Sequence, residues 1–252
     1  MSDAAVLRAA RRVFRSVPLY RALYGELPRS AGDVPFVDRR TYAGCQRLTE
    51  CIDAALPPCN AVPSFHRRRP RFPTTIVECP ADRRARTQRL RRALFRLGIG
   101  ARRFLADIVI LASDETGLFA CDIAELLALC GGQVAVGFPA SAHDAAALSG
   151  KATLVLVVQS PERAILPPAT AAAVVVCHAT EASRWGTAAQ RILVCEGPHA
   201  LAVAPRGAPT FVAVDRDCLV EHAPGGTALT TTRRSCFPLV RYVLDIDAAI
   251  QP

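Results

Sequence analysis

The sequence predicts an α/β fold: a mainly parallel sheet flanked by helices, followed by a small C-terminal antiparallel β subdomain. Three observations carry this prediction. Short apolar runs at residues 108–112, 133–137, 154–158 and 172–176 read as buried strands. Helix-length segments lie between several of them, the alternation that builds parallel sheets. Beyond about residue 190 the runs shorten and Gly/Pro turns separate them, a pattern of antiparallel hairpins.

Each element follows from local chemistry. Residues 3–23 set Val6, Ala9, Ala10, Val13 and Phe14 at helical spacing with arginines opposite, and Pro18 interrupts the pattern. Residues 56–73 are Pro-rich and basic and read as a loop. Residues 74–78 are β-branched and read as a strand. A helix is expected over 80–97, with Ala85, Leu90, Ala93, Leu94 and Leu97 on one side and Gly98 as its stop. A second, apolar helix covers 118–129 and ends at Gly131-Gly132. The expected units are residues 1–73 (helices and loop), 74–190 (α/β core) and 191–252 (small β subdomain).

With 51% hydrophobic residues in 252, the chain can bury a full core. Its apolar runs are far shorter than a membrane span, and its first residues lack the apolar stretch of a signal peptide, so a cytoplasmic protein is expected. Ten cysteines without a CxxC pair read as reduced, mostly buried thiols. The net charge is +9, and Lys151 is the sole lysine. The arginine-dense stretch from 67 to 103 leaves two readings open, a solvated basic face or a grip on phosphate. Arg83, Arg84, Arg86, Arg89, Arg91 and Arg92 would be the nucleic-acid version of that grip, but no aromatics interleave them.

Cys195-x3-His199 and Cys218-x3-His222 offer the ligand types of a tetrahedral zinc site. On strands, the members of each pair would stand about 13 Å apart at ~3.3 Å per residue. Cys177 and His178 are adjacent, and in an extended segment they would point to opposite faces, unsuited to a thiolate–imidazole pair.

The run Thr230-Thr231-Thr232-Arg233-Arg234-Ser235-Cys236-Phe237-Pro238-Leu239-Val240-Arg241-Tyr242 resembles, without a gap, the "TTLT-x-x-x-FPLIRY" segment of phenylacetate-CoA ligase-like enzymes in the adenylate-forming superfamily. Val17-Pro18-Leu19-Tyr20-Arg21-Ala22-Leu23-Tyr24 and Val34-Pro35-Phe36 are similar to that family's opening. Gly117-Leu118-Phe119, with the helix and Val134-Ala135-Val136-Gly137 after it, resembles its "GLFTGGLGLHYGAERLGATVIP" block. The resemblance implies the family's N-domain fold and an acyl or aryl carboxylate, or its thioester, as ligand in a biosynthetic pathway. It also implies a homodimer or a full-length ligase as partner. Relatives continue into a hinge and a C-terminal lid domain with a catalytic lysine, whereas this sequence ends at Pro252, so the lid is expected to be absent. The short interval between residues 158 and 172 implies that a central βα unit is missing.

The family's ATP motifs map onto altered residues. Its Gly-rich phosphate cradle corresponds to His66-Arg67-Arg68-Arg69-Pro70-Arg71-Phe72, without the glycines that let backbone N–H groups approach phosphate. Arg67, Arg68, Arg69 and Arg71 could supply guanidinium contacts instead. "YGLTE" corresponds to Cys177-His178-Ala179-Thr180-Glu181, so Thr180 and Glu181 keep the places that contact phosphate and Mg²⁺, while Cys177 replaces the aromatic residue and His178, at the glycine, joins them as a candidate catalytic residue; an ordinary helix-cap pair is the other reading of Thr180 and Glu181. "RYRTGD" corresponds to Arg241 through Asp247, with Ile246 at the ribose aspartate and Asp245 and Asp247 beside it. The expectation is a degenerate ligase homologue that binds the acyl or aryl ligand without ordinary ATP-dependent adenylation. A working ligase with an Arg-rich phosphate site, and a non-catalytic partner of a full-length enzyme, are the alternatives.

Overall fold

The computed structural model describes residues 3–45, 47–63, 76–100, 107–167, 172–185, 191–196, 199–207, 210–214, 217–224, 226–244 and 250–251. The chain opens with α1 (Asp3–Ser16), and Pro18 ends the pattern by becoming the first residue of α2 (Pro18–Tyr24). Proline suits that position because its missing N–H would have had no helical partner. After the short α3 (Arg39–Ala43), β1 (Asn60–Val62) pairs antiparallel with β2 (Ile76–Glu78). Strand β1 lies inside the segment expected to be all loop; its three residues are too few to leave a period in the sequence.

Helix α4 (Pro80–Arg96) ends as Gly98 predicts. The Gly98 N–H reaches the Phe95 carbonyl at 2.9 Å and the Ile99 N–H reaches that of Leu94 at 3.0 Å. Gly98 takes φ 77° there, the left-handed conformation glycine adopts without strain. The chain then alternates through β3 (Asp107–Ala112), α5 (Gly117–Ala128), β4 (Gln133–Gly137), α6 (Ala142–Ser149), β5 (Leu154–Val158) and β6 (Ala172–His178). β7 (Ile192–Glu196), β8 (His199–Ala204), β9 (Phe211–Ala213), β10 (Cys218–Ala223), β11 (Gly226–Thr231), β12 (Tyr242–Leu244) and β13 (Ile250–Gln251) complete it.

Among the described residues, eight strands form the main sheet in the order β13-β9-β8-β7-β6-β5-β3-β4. The neighbours from β4 through β3, β5 and β6 to β7 are parallel, and β8 and β9 add antiparallel. A separate antiparallel sheet, β10-β11-β12, holds the C-terminal region. The mainly parallel sheet with a small antiparallel companion is the fold class read from the sequence. The companion begins only at Cys218, while β7, β8, β9 and β13 join the main sheet.

Alternating side chains feed two apolar layers. Leu154, Leu156, Val158, Val174 and Val176 face the layer covered by α4 and α5. Val155, Val157, Val175 and Cys177 face the layer closed by α1, α2 and the small sheet. These strands are apolar on both faces because both are buried. At about 1.5–3 kcal/mol per fully buried Val or Leu, the two layers dominate the folding free energy.

Candidate functional site

From β3 the chain crosses to β4 on one side, and from β5 it proceeds to β6 on the other. The carboxyl ends of β3 and β5 are therefore a topological switch point, the place where open α/β sheets form a crevice. Three loops meet at this edge. Thr116, after β3, donates from its Oγ1 to the Val158 carbonyl at the end of β5 and accepts the Ser113 N–H at 3.0 Å. Gln159, just past β5, donates from Nε2 to the Ala112 carbonyl (3.2 Å) and accepts the Ile165 N–H (2.7 Å). Both side chains are buried, so the hydrogen bonds offset their desolvation and fix the loops. Outside this shell, Arg163 pairs with Glu115 at 3.6 Å and Arg184 pairs with Glu162, tying the β3, β5 and β6 loops in series. Ser113, Thr116 and Gln159 were not singled out from the sequence; the available signal was their position just past two apolar strands.

His178 is the last residue of β6, and Thr180 and Glu181 lie in the 3₁₀ turn that follows, at the same edge. The Thr180 N–H donates to His178 Nδ1 at 3.2 Å, and the Thr180 hydroxyl lies 3.0 Å from the same nitrogen. Nδ1 is thus the acceptor, which places the imidazole proton on Nε2. His178 and Glu181 are both buried. Cys177 belongs to the layer beneath α1 and α2, consistent with adjacent strand residues facing opposite sides. Burial, reinforced by Cys195 and Glu181, pushes the Cys177 thiol well above its ordinary range, which keeps it protonated and unsuited to nucleophilic attack.

The other expected site residues are dispersed. Arg67, Arg68, Arg69, Arg71, Asp245 and Asp247 lie outside the described residues. Arg241 is committed to the scaffold: its Nε and Nη2 donate to Glu221 at 3.2 Å each, and Nη1 donates to the carbonyls of Ala31 (2.7 Å) and Val34 (2.8 Å). Those four bonds use most of its five donors. Cys195 ends up in the layer under α4, Cys218 in the opposite one, and exposed His222 shares β10 with Cys218. His199 begins β8, and its side chain is not among those described. Among the described residues no group of three or more His, Cys, Asp or Glu could hold a metal ion.

The α4 arginines differ from the basic face considered above. Arg86 and Arg89 are buried, and Arg86 binds Glu78 (3.0 and 3.1 Å) and Asp122 (2.9 Å for one of its two contacts). Burial opposes the charge on Arg86, but the two carboxylates outweigh it and raise its pKa. Arg83 pairs with Glu125. The charge run points partly inward because acidic partners wait there. Beside it, Arg86, Arg89, Asp217 and Phe237 line a cavity of about 30 Å³, room for a water rather than a substrate.

The fold, though not by itself the chemistry of its switch-point edge, is similar to that of solved acyl-CoA ligases. Similar solved structures include 2-hydroxyisobutyryl-CoA ligase in complex with 2-HIB-AMP and CoA in the thioesterification state, at 15% identity and TM-score 0.60 over 96% of this chain and 62% of that one. The same ligase in an open conformation with those ligands matches at 14% identity and TM-score 0.62, covering 96% and 63%. In the postadenylation state with 2-HIB-AMP it matches at 17% and 0.62, covering 96% and 62%. The chain thus spans less than two thirds of the length of these ligases, and at such identities the likeness is one of fold. No family model matches the sequence, and no curated protein does. Among the described residues no helix is long and apolar enough to cross a membrane.

Proposed function

We propose that the protein binds an acyl or aryl carboxylate, or its activated thioester or adenylate, in the crevice at the carboxyl edge of β3, β5 and β6. The observation that carries this reading is the braced switch point, where Thr116 and Gln159 fix the loops and His178, Thr180 and Glu181 stand on the adjoining strand end. The acyl-adenylate named for the solved ligases supports the ligand class. Thr180 and Glu181 are the groups that would face a phosphate and its Mg²⁺, and oxygen donors suit that ion. Magnesium would offset phosphate charge if bound.

A thermal-shift series with aryl acids, alkyl acids, their CoA thioesters and ATP tests the reading. At least one acid or thioester is expected to raise Tm, and Glu181→Gln or Thr180→Ala to reduce that rise. A flat response to the whole acyl and aryl series overturns the proposal. ATP–pyrophosphate exchange separates its two forms: exchange with a stabilising acid marks a working ligase, and binding without exchange marks a protein that retains only the ligand site.

A further inference from the structure

A second basic feature lies away from the crevice, on the outer face of α1. Arg8, Arg11, Arg12 and Arg15 recur at intervals of three, one and three residues, which places them on one side of the helix, opposite the buried Val6, Ala9, Ala10 and Val13. With Arg234 from the loop after β11 they line a cleft of about 380 Å³. We propose that this cleft is a binding site for a small oligophosphate, a run of two or three linked phosphate groups carried free or on a soluble metabolite.

The cleft is organised beyond what a solvated charge stripe requires. Arg12 donates from Nη1 to the Thr232 carbonyl at 2.8 Å and from Nη2 to those of Thr231 (3.3 Å) and Arg233 (3.1 Å). Arg11 donates to the carbonyls of Pro28 (2.8 Å) and Arg29 (3.3 Å). Arg234 Nε donates to Asp53 Oδ2 at 3.1 Å. Three of the five guanidiniums are thereby held in place before any ligand arrives, which lowers the ordering cost of binding. The side chains of Arg8 and Arg15 make no hydrogen bond or ion pair among the described residues, and both are exposed at the two ends of the stripe. Seven residues of helix separate them, ~10 Å at ~1.5 Å per residue, a span suited to linked phosphates rather than to one.

Charge balance points the same way. Five arginines share a single lining carboxylate, Asp53, which is buried and already accepts from Arg234 and from the Ala55 N–H at 3.0 Å. Burial lowers the Arg12 pKa, Asp53 offsets this in part, and the facing Arg234 lowers it again. A polyanion would relieve that like-charge crowding, and planar guanidinium forks match phosphate oxygens. The concave shape favours a small ligand over a flat membrane or a duplex.

Isothermal titration of the intact protein with inorganic tripolyphosphate tests the site, with orthophosphate, a 20-nucleotide single strand and vesicles containing anionic lipid as comparison arms. Saturable tripolyphosphate binding is expected, with orthophosphate about tenfold weaker or more. Arg8→Gln/Arg15→Gln should weaken tripolyphosphate binding by about tenfold or more, since each lost charged hydrogen bond is worth roughly that factor. Lys151→Gln/Arg206→Gln, which removes the same charge from exposed turns elsewhere, should change it less than about twofold. Glutamine preserves helix propensity, and an unchanged Tm for the α1 variant confirms that it folds. Absent binding, equal loss in both double variants, or tighter binding to the nucleic acid or the vesicles overturns the proposal. ATP and the CoA thioesters of the series above carry linked phosphates and can enter this cleft, whereas the free aryl and alkyl acids carry none. A Tm rise with a free acid that persists in Arg8→Gln/Arg15→Gln belongs to the crevice, so the two readings fail separately.

Discussion

The guanidinium of Arg241 lies 4.8 Å from the centre of the Phe36 ring, so the last recognisable motif of the chain is stacked on the first. Arg241 reaches this position from φ 48°, the only left-handed non-glycine conformation among the described residues. Its own N–H donates to Thr230 Oγ1 at 3.0 Å, while the Val37 N–H donates to the Arg241 carbonyl at 2.9 Å. The backbone strain persists because the surroundings over-determine it. Tyr20 adds a second clasp, its hydroxyl accepting the Val240 N–H at 2.8 Å.

Truncating Arg241 should therefore behave as the loss of a structural staple. Arg241→Ala strips the bonds from Ala31 and Val34 and unpairs Glu221, for an expected cost of about 2–4 kcal/mol in urea unfolding. Arg241→Lys should recover little, because an ammonium cannot span Glu221, two carbonyls and a ring face together. A cost below about 1 kcal/mol for Arg241→Ala would contradict this assignment.

This clasp explains what was legible in the sequence. Thr230, Phe237, Leu239, Val240 and Tyr242 are buried in the join between the small sheet and the first helices, so the run recognisable as a resemblance is a packing element. The parallel strands were legible from their uninterrupted apolar runs, α5 from its apolar length, and α4 from Leu90, Ala93, Leu94 and Leu97 on one side before the Gly98 stop. Helix α6 was not: its alanines leave no period, although Ser141, which caps the Asp144 N–H at 3.2 Å, supplies a start signal. The assignment of β7, β8 and β9 to the main sheet was hidden because a short strand looks the same whichever sheet it joins. The role of Arg241 was equally hidden, since its partners Ala31, Val34 and Glu221 are brought together only by tertiary packing.

The buried cluster around Arg86 makes a second prediction. Arg86→Met leaves Glu78 and Asp122 facing each other without a cation, and should cost about 3–5 kcal/mol. Adding Glu78→Gln and Asp122→Asn to the same chain removes the uncompensated charges and should restore part of that loss. Chemical denaturation of the single and triple variants measures both. A triple variant no more stable than the single one would mean that packing, not charge, dominates there.

Thiol reactivity should divide along burial. Cys59 and Cys121 are exposed, whereas Cys177 and Cys236 are buried. Burial, helped by Asp82, pushes the Cys236 thiol up to about 12, and burial raises Cys177 well above the ordinary range. At pH 8, N-ethylmaleimide followed by peptide mass spectrometry should label Cys59 and Cys121 first, and Cys177 and Cys236 only on unfolding. Early labelling of Cys177 would contradict its placement in the apolar layer.

The His178 ring should hold its proton on Nε2. The Thr180 N–H donates to Nδ1, and a proton on that nitrogen would turn the contact into two opposed donors. Nitrogen-15 NMR of histidine-labelled protein near neutral pH reads the tautomer directly. A protonated Nδ1 would break the local geometry at the candidate crevice and require a different partner for Thr180.

Asp53 should make part of the stability acid-sensitive. Burial alone would raise its pKa, but the hydrogen bond from Arg234, the Ala55 N–H, the Arg234 charge and Ser16 together hold it below the ordinary aspartate range. A carboxyl whose folded pKa lies below its unfolded one contributes stability above the unfolded value and loses it as pH falls through the folded one. Asp53→Asn should therefore be less stable than the native chain at pH 7, and the gap should narrow as the pH falls below the ordinary aspartate range. Trp185, the sole tryptophan, provides the fluorescence signal for urea unfolding at each pH. Arg234→Gln should reduce the same pH dependence from the other side of the pair, and parallel curves for the native and Asp53→Asn chains across that window would show that the ion pair contributes nothing to stability.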